Sequence, residues 1–296
     1  MEKNIYYYEL VVKKKKDRSE IALNNNEIYQ MFEKIYNHTR SVDAYQTCEL
    51  DGLYYYDFMI FNQEEMFLKI GKANMNNAIE IRDKDTFKSG PINIKENQQL
   101  NTILYFYLDF NTCIATICSS EGIGYGTAVK KLLIDVYKKD ITNVIFANIL
   151  SRDIIEKIME KDIISNIEFS YAVPSDEILS GIHLNRDVFN DIQNKKSMQM
   201  TCKLYIERNK SAFDDRNQVK MLFNDITNKY KLLKSFYIDA KNKGEKIEHF
   251  NLLKYRYKDK IEYDEHDFSN YNIMYKLIKS KYLNKKEEIC ELIQNI

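Results

Sequence analysis

The sequence predicts an α+β fold: a mixed α/β N-terminal domain with a mostly antiparallel sheet over residues 1–174, then a smaller strand-plus-helix domain over residues 195–296. Three observations carry that prediction. Aromatic and β-branched runs of strand length follow one another closely enough to pair as hairpins. Segments with apolar residues at helical spacing stand between them. The charge also changes sign along the chain: residues 1–194 hold 22 Lys and Arg against 29 Asp and Glu, a net of −7, and residues 195–296 hold 22 against 15, a net of +7.

The opening run IYYYELVVKK reads as a strand. An Asn cap then precedes Ile28, Phe32, Ile35 and Tyr36 on one helical face. LYYYDFMIF and MFLKIGK read as two strands around a turn at Asn62, Gln63 and Glu64. Residues 72–99 are polar and punctuated by Gly90 and Pro91, a long excursion of the kind that carries contacts. LNTILYFYLDF and TCIATICSS suggest a hairpin about Asn111. A glycine loop follows, then a helix over Thr127–Lys139 with Val129, Leu132, Leu133, Val136 and Tyr137 on one side, then the strand TNVIFANIL. ISNIEFSYAV, ending before Pro174, closes the first domain.

In the second portion MQMTCKLYIER reads as a strand, and a helix from Asp214 carries Val219, Leu222, Phe223, Ile226, Tyr230 and Leu233. SFYIDAKNKGEKIEHFNLL reads as a hairpin turning at Asn242–Gly244. YRYKDKIEY alternates as a half-buried strand does, and the last segment is a long amphipathic helix with Ile273, Leu277, Ile278, Ile289, Leu292, Ile293 and Ile296.

Composition narrows the function classes. With 44% hydrophobic and 30% charged residues the chain is globular, and no run approaches the ~20 apolar residues of a bilayer span. The start MEKNIYYYELVVKKKK lacks an apolar stretch of signal-peptide length, so a cytoplasmic location and no membrane partner are expected. Five scattered cysteines, Cys48, Cys113, Cys118, Cys202 and Cys290, read as reduced core thiols. Cys113 and Cys118 fall in one predicted strand at a separation that points them to opposite faces. The histidines His38, His183, His249 and His266 have no partners at metal spacing, and Glu80-Ile81-Arg82 replaces the Glu-x-Lys triplet of many nucleases. Neither a metal nor a cofactor nor a catalytic set is expected.

Two stretches point to binding. Lys241, Lys243, Lys246, Lys254, Arg256, Lys258 and Lys260, around Tyr255 and Tyr257, are the candidate nucleic-acid contacts, able to meet phosphates and stack bases. Only eight of the basic residues are Arg, which suits diffuse phosphate attraction better than base reading. The tyrosines, 23 in all and tripled at 6–8 and 54–56, exceed what a core needs and suit a protein interface.

Gly122, Gly124 and Gly126 alternate in CSSEGIGYGTAVK, between a strand and a helix. Over about residues 102–150 this resembles the acetyl-CoA loop of GNAT-type acetyltransferases. The motif's Arg or Gln corresponds to Ser119–Glu121, and a carboxylate at Glu121 repels a pyrophosphate. The other reading is a tight structural turn.

The whole layout resembles the Gabija anti-defence proteins of phages: an aromatic first strand, a helix, paired strands, the excursion RDKDTFKSGPINIKENQQL, the run ILYFYLDF and a basic helical end. That resemblance implies a non-enzymatic inhibitor that assembles as several copies on the host Gabija complex of nuclease and helicase subunits and blocks its binding and cutting of DNA. The chain also resembles defence-associated DNA-binding proteins of prophages and defence islands, which implies direct DNA contact.

Overall fold

The computed structural model describes residues 1–16, 19–39, 45–49, 52–73, 80–82, 89–91, 100–118, 123–124, 126–138, 140–149, 151–171, 200–207, 210–212, 218, 233–252, 256–264 and 266–294. The chain is α+β with a sheet-rich N-terminal region. Two compact units emerge: Met1–Phe146 with Asp259–Asn284, and Ala147–Lys258 with Lys285–Ile296. Each unit is built from two separate stretches of chain, a division that local sequence texture does not display.

The first unit centres on a nine-stranded sheet. Its path runs β10 (Asn143–Asn148), β1 (Glu2–Lys16), β9 (Ile114–Cys118), β8 (Asn101–Asp109), β5 (Glu65–Ala73), β4 (Gly52–Phe61), β3 (Tyr45–Glu49), and β2 (Ser19–Ala22) and β15 (Lys258–Glu262) also pair with β1. The ladders from β1 through β9, β8, β5 and β4 to β3 are antiparallel. The predicted turn at Asn62–Glu64 closes β4 onto β5, with Asn62 Oδ1 accepting from the N–H groups of Glu64 and Glu65. The β8–β9 turn surrounds Asn111 as expected, but Cys113 lies in it at φ 54 rather than in a strand. Residues Glu80–Arg82 (β6) and Ser89–Pro91 (β7) pair inside the excursion that the sequence left without structure.

Both faces of this sheet are covered, which explains why its central strands read as continuous apolar runs. One face carries Tyr8, Leu10, Met66, Leu68, Leu104 and Phe106 against Ile28, Phe32 and Ile35 of α1 (Asn25–Thr39) and Val129, Leu132 and Leu133 of α2 (Thr127–Val136). A capping box starts α1: Glu27 N–H donates to Asn24 Oδ1 and Asn24 N–H to Glu27 Oε2, both at 2.9 Å. The helix α2 stops before the predicted Lys139, and Val136 is exposed. On the opposite face Phe67, Tyr105 and Tyr107 meet Tyr275 and Tyr282 of α4 (Tyr271–Gln294) and Phe268 just before it.

The tyrosines are therefore spent differently from the expectation. Tyr7, Tyr8, Tyr54, Tyr56, Tyr105, Tyr107 and Tyr282 are buried. A sheet packed on two sides needs wide side chains, and two of these hydroxyls reach backbone carbonyls: Tyr56 donates to that of Ala128 at 2.8 Å and Tyr105 to that of Phe268 at 2.7 Å.

The second unit holds a four-stranded sheet in the order β12 (Met200–Tyr205), β11 (Ile163–Tyr171), β13 (Leu233–Lys241), β14 (Glu248–Asn251), antiparallel throughout. The strand that the sequence placed at the end of the first domain, β11, is thus central here. One face packs Ile167, Phe236, Ile238, Ala240 and Phe250 against Ile154 and Ile158 of α3 (Arg152–Met159), a helix the sequence reading missed. The helix read from Asp214 lies, apart from Gln218, outside the described residues, and Leu233, placed at its end, begins β13. The β13–β14 hairpin turns where expected, with Gly244 at φ 83. No helix among the described residues is long and apolar enough to cross a membrane.

Candidate functional site

The glycine loop precedes α2, and β9, loop, α2 and β10 follow in the order that the acetyltransferase resemblance implies. In the sheet, however, β1 lies between β9 and β10 and is hydrogen-bonded to both. The strands flanking the loop and helix therefore leave no gap for a ligand between them. Glycine is demanded at Gly126, whose φ is 65 and whose added Cβ would collide with the Phe146 ring. At Gly124 the φ is not in the left-handed region, and a Cβ would meet only the Thr127 side chain, its hydroxyl at 2.7 Å, a group that can rotate, and its Cβ at 3.4 Å. Glu121 and Gly122 lie outside the described residues. What is shown of the loop is a turn fitted to a neighbouring ring.

A polar network in the first unit carries the most concentrated chemistry. Glu65 and Asp109 are direct cross-strand partners on β5 and β8, both buried, an arrangement that repels unless compensated. The helix α4 compensates it with Tyr275, Lys279 and Tyr282, spaced at i, i+4 and i+7 on one face. Lys279 Nζ reaches Glu65 Oε1 at 2.6 Å and Tyr275 OH reaches the same oxygen at 2.5 Å, while Tyr107 OH donates to Oε2 at 2.8 Å. Tyr282 OH donates to Asp109 Oδ2 at 2.7 Å and lies 3.0 Å from Thr112 Oγ1. Burial pushes the Glu65 carboxyl up, but the bonds from Lys279, Tyr275 and Tyr107 together outweigh it and hold the group below the usual carboxylate range. Burial first, then the bond to Glu65, pushes the Tyr107 hydroxyl far above its ordinary value. These groups satisfy one another, so their chemistry is that of a clasp between helix and sheet.

The candidate nucleic-acid contacts separate into two groups. Lys241, Lys243 and Lys246 share the β13–β14 hairpin of the second unit, where Lys243 and Lys246 are exposed. Their surroundings mix signs: Glu245 lies in the same turn, Asp162 accepts from Lys243 N–H, and Glu248 pairs with Lys157 and Lys161. Lys258 and Lys260 stand on β15 of the other sheet, with Lys260 Nζ on Glu2 at 2.6 Å. Arg256 is half-buried, and Tyr257 is buried rather than offered for stacking. Lys254 and Tyr255 lie outside the described residues.

The second unit's sheet has, opposite its apolar side, a face that the sequence reading did not single out. Opposite its apolar face stand Lys203 and Tyr205 of β12, Asn166, Glu168 and Ser170 of β11, and Tyr237 and Asp239 of β13. Lys203 pairs with Glu168 at 2.8 Å, and His249 Nδ1 lies 2.7 Å from Asp239 Oδ1. Tyr205 is 74% exposed, Tyr237 40%, and Leu204, on the apolar side, 49%. The alternation in MQMTCKLYIER could have marked the strand as an edge, since it carries Lys203 at its middle and no continuous apolar run.

Among the described residues no cluster of His, Cys, Asp or Glu is placed to hold a metal ion. Cys113 and Cys118 are buried free thiols, and burial pushes each up to about 12. No protein-family model matches the chain, and no curated protein matches it.

Proposed function

We propose that this chain is a phage-encoded, non-enzymatic inhibitor of bacterial anti-phage defence that binds the Gabija nuclease–helicase complex as an oligomer in the host cytoplasm and blocks its DNA binding and cleavage. The reading rests on the whole-chain layout and on one structural observation in particular. While Tyr7, Tyr8, Tyr54, Tyr56, Tyr105, Tyr107 and Tyr282 of the first unit are committed to its core, the second unit holds Leu204, Tyr205 and Tyr237 out of its sheet, where large side chains serve contact rather than folding. An inhibitor of this kind needs area and shape, not a reaction centre.

The test is co-purification with a set of Gabija complexes, reading the mass of the co-eluting species at low and high salt. A salt-resistant assembly containing several copies is expected. Absence of co-elution across the whole set would sink the proposal.

A second reading is DNA binding, favoured by Lys241, Lys243 and Lys246 on one turn. It predicts affinity for duplex DNA that falls steeply with salt, with a slope reduced by about one for each phosphate-contacting lysine replaced by Ala. A flat salt dependence would remove it.

A further inference from the structure

We infer that β12 is the seat of a self-association interface, joining two copies of this chain edge to edge through an antiparallel pairing centred on Leu204. The inference deepens the proposal above only in that the chain works as several copies, and it stands or falls without the defence complex.

The strand is an edge: it pairs with β11 on one side, and among the described residues no strand lies on the other. Its orientation follows from one bond. Ile206 N–H donates to the Ser165 carbonyl, so residues of that parity turn their backbone groups toward β11, and Thr201, Lys203 and Tyr205 turn theirs outward. Those outward groups form a template for another strand.

The side chains select the occupant. A two-fold antiparallel pairing of β12 with itself has three central registers that respect the bonding parity. Centring on Lys203 opposes two like charges. Centring on Cys202 places Thr201 against Lys203, leaving Leu204 and Tyr205 toward the ends. Centring on Leu204 sets the two leucines against each other in a close, non-hydrogen-bonded pair and places Lys203 of each copy opposite Tyr205 of the other, twice. This third register covers the two exposed large residues of the strand together. It also extends the apolar face containing Ile167, the register partner of Leu204, from one copy to the next. The lysine is already half-neutralised by Glu168, so its stem can lie along the ring.

The test uses the purified full chain alone, with light scattering reading its mass. Wild type is expected near twice the monomer's 35.3 kDa. Leu204→Arg should weaken association by about ten-fold or more. Tyr205→Pro, which removes an outward donor and leaves the β11 ladder intact, should do the same. Both variants are expected to keep the wild-type circular dichroism and melting temperature, and if one does not fold the other carries the test. Leu204→Cys should form a covalent dimer under mild oxidation, whereas wild type, whose Cys202 faces Ile206 in this register, should not.

A monomeric wild type, or a dimer indifferent to both substitutions, overturns the interface. Cross-linking of wild type through Cys202 overturns the Leu204-centred register. A monomeric chain whose Leu204→Arg variant loses the defence complex assigns the edge to that partner and overturns pairing with a second copy. Loss of self-association with co-elution retained counts against this interface and not against the inhibitor.

Discussion

At the scale of single residues, the structure turns a pattern into a requirement at one position and relaxes it at another. The three alternating glycines look equivalent in sequence, yet Gly126 alone among the described two combines a positive φ with a ring in the path of a Cβ. Gly126→Ala should therefore cost more than the ~1–2 kcal/mol of left-handed backbone strain alone, and Gly124→Ala well under that, as chemical denaturation of the two variants would show. Dihedral angles are not written in a Gly-x-Gly-x-Gly string, so sequence reasoning could rank these positions only by guess. Tyr282 is the converse case. It looks like one more aromatic on a helix, and only the fold reveals that its hydroxyl answers a buried Asp109. Tyr282→Phe keeps the ring contact with Tyr107 and should cost about 1–3 kcal/mol in urea denaturation, because it leaves a buried carboxylate one donor short.

At the scale of elements, the local signals were legible and the partners were not. The capping box of α1, the turn at Asn62 and the β13–β14 hairpin are all short-range features, and each was readable from the residues that form it. By contrast α3 escaped notice because it is short, and its Ile154, Ile155 and Ile158 resemble the β-branched runs on either side. The terminal helix was read as amphipathic from its aliphatic residues. Its sheet-facing stripe in the first unit is in fact Met274, Ile278 and Tyr282, flanked by Tyr275 and Lys279. That stripe makes α4 the counterpart of the Glu65–Asp109 pair. Lys279→Met should destabilise the fold by ~2 kcal/mol, less than a fully buried pair would lose because the lysine is about a third exposed. Since the Glu65 carboxyl is held below its unfolded value, its contribution is present above roughly pH 4.3 and lost as the pH falls through the folded value. Glu65→Gln should flatten that acid-side loss in denaturation curves taken below about pH 4.3, even while lowering stability at neutral pH.

At the scale of the whole molecule, the fold class was within reach of the sequence but the division of the chain was not. Strand propensity and helical periodicity sufficed for α+β. The boundary at 174/195 followed composition, whereas the units are defined by pairings between distant residues, such as Ile167 with Ile238 and Met1 with Tyr263. The two apolar clusters share no residue, so Ile238→Ala, at a fully buried position, should cost ~2–5 kcal/mol and lower a calorimetric transition that Phe106→Ala leaves in place. The candidate lysines fared as the boundary did: neighbours in sequence, they are distributed over two sheets because the chain leaves one unit and returns to the other between Lys246 and Lys260.

That return bears on how the protein is made. The strand β1 hydrogen-bonds β15, and the Met1 carbonyl receives the N–H of Tyr263, 262 positions further on. At ~5–20 residues per second a ribosome needs about 13 to 50 seconds to cover that distance. Tyr6–Tyr8 can join β9 well before then, but throughout that interval the Met1 end of β1 must be kept from pairing elsewhere, so the yield of native protein should depend on translation speed and on chaperones that shield nascent β-strands.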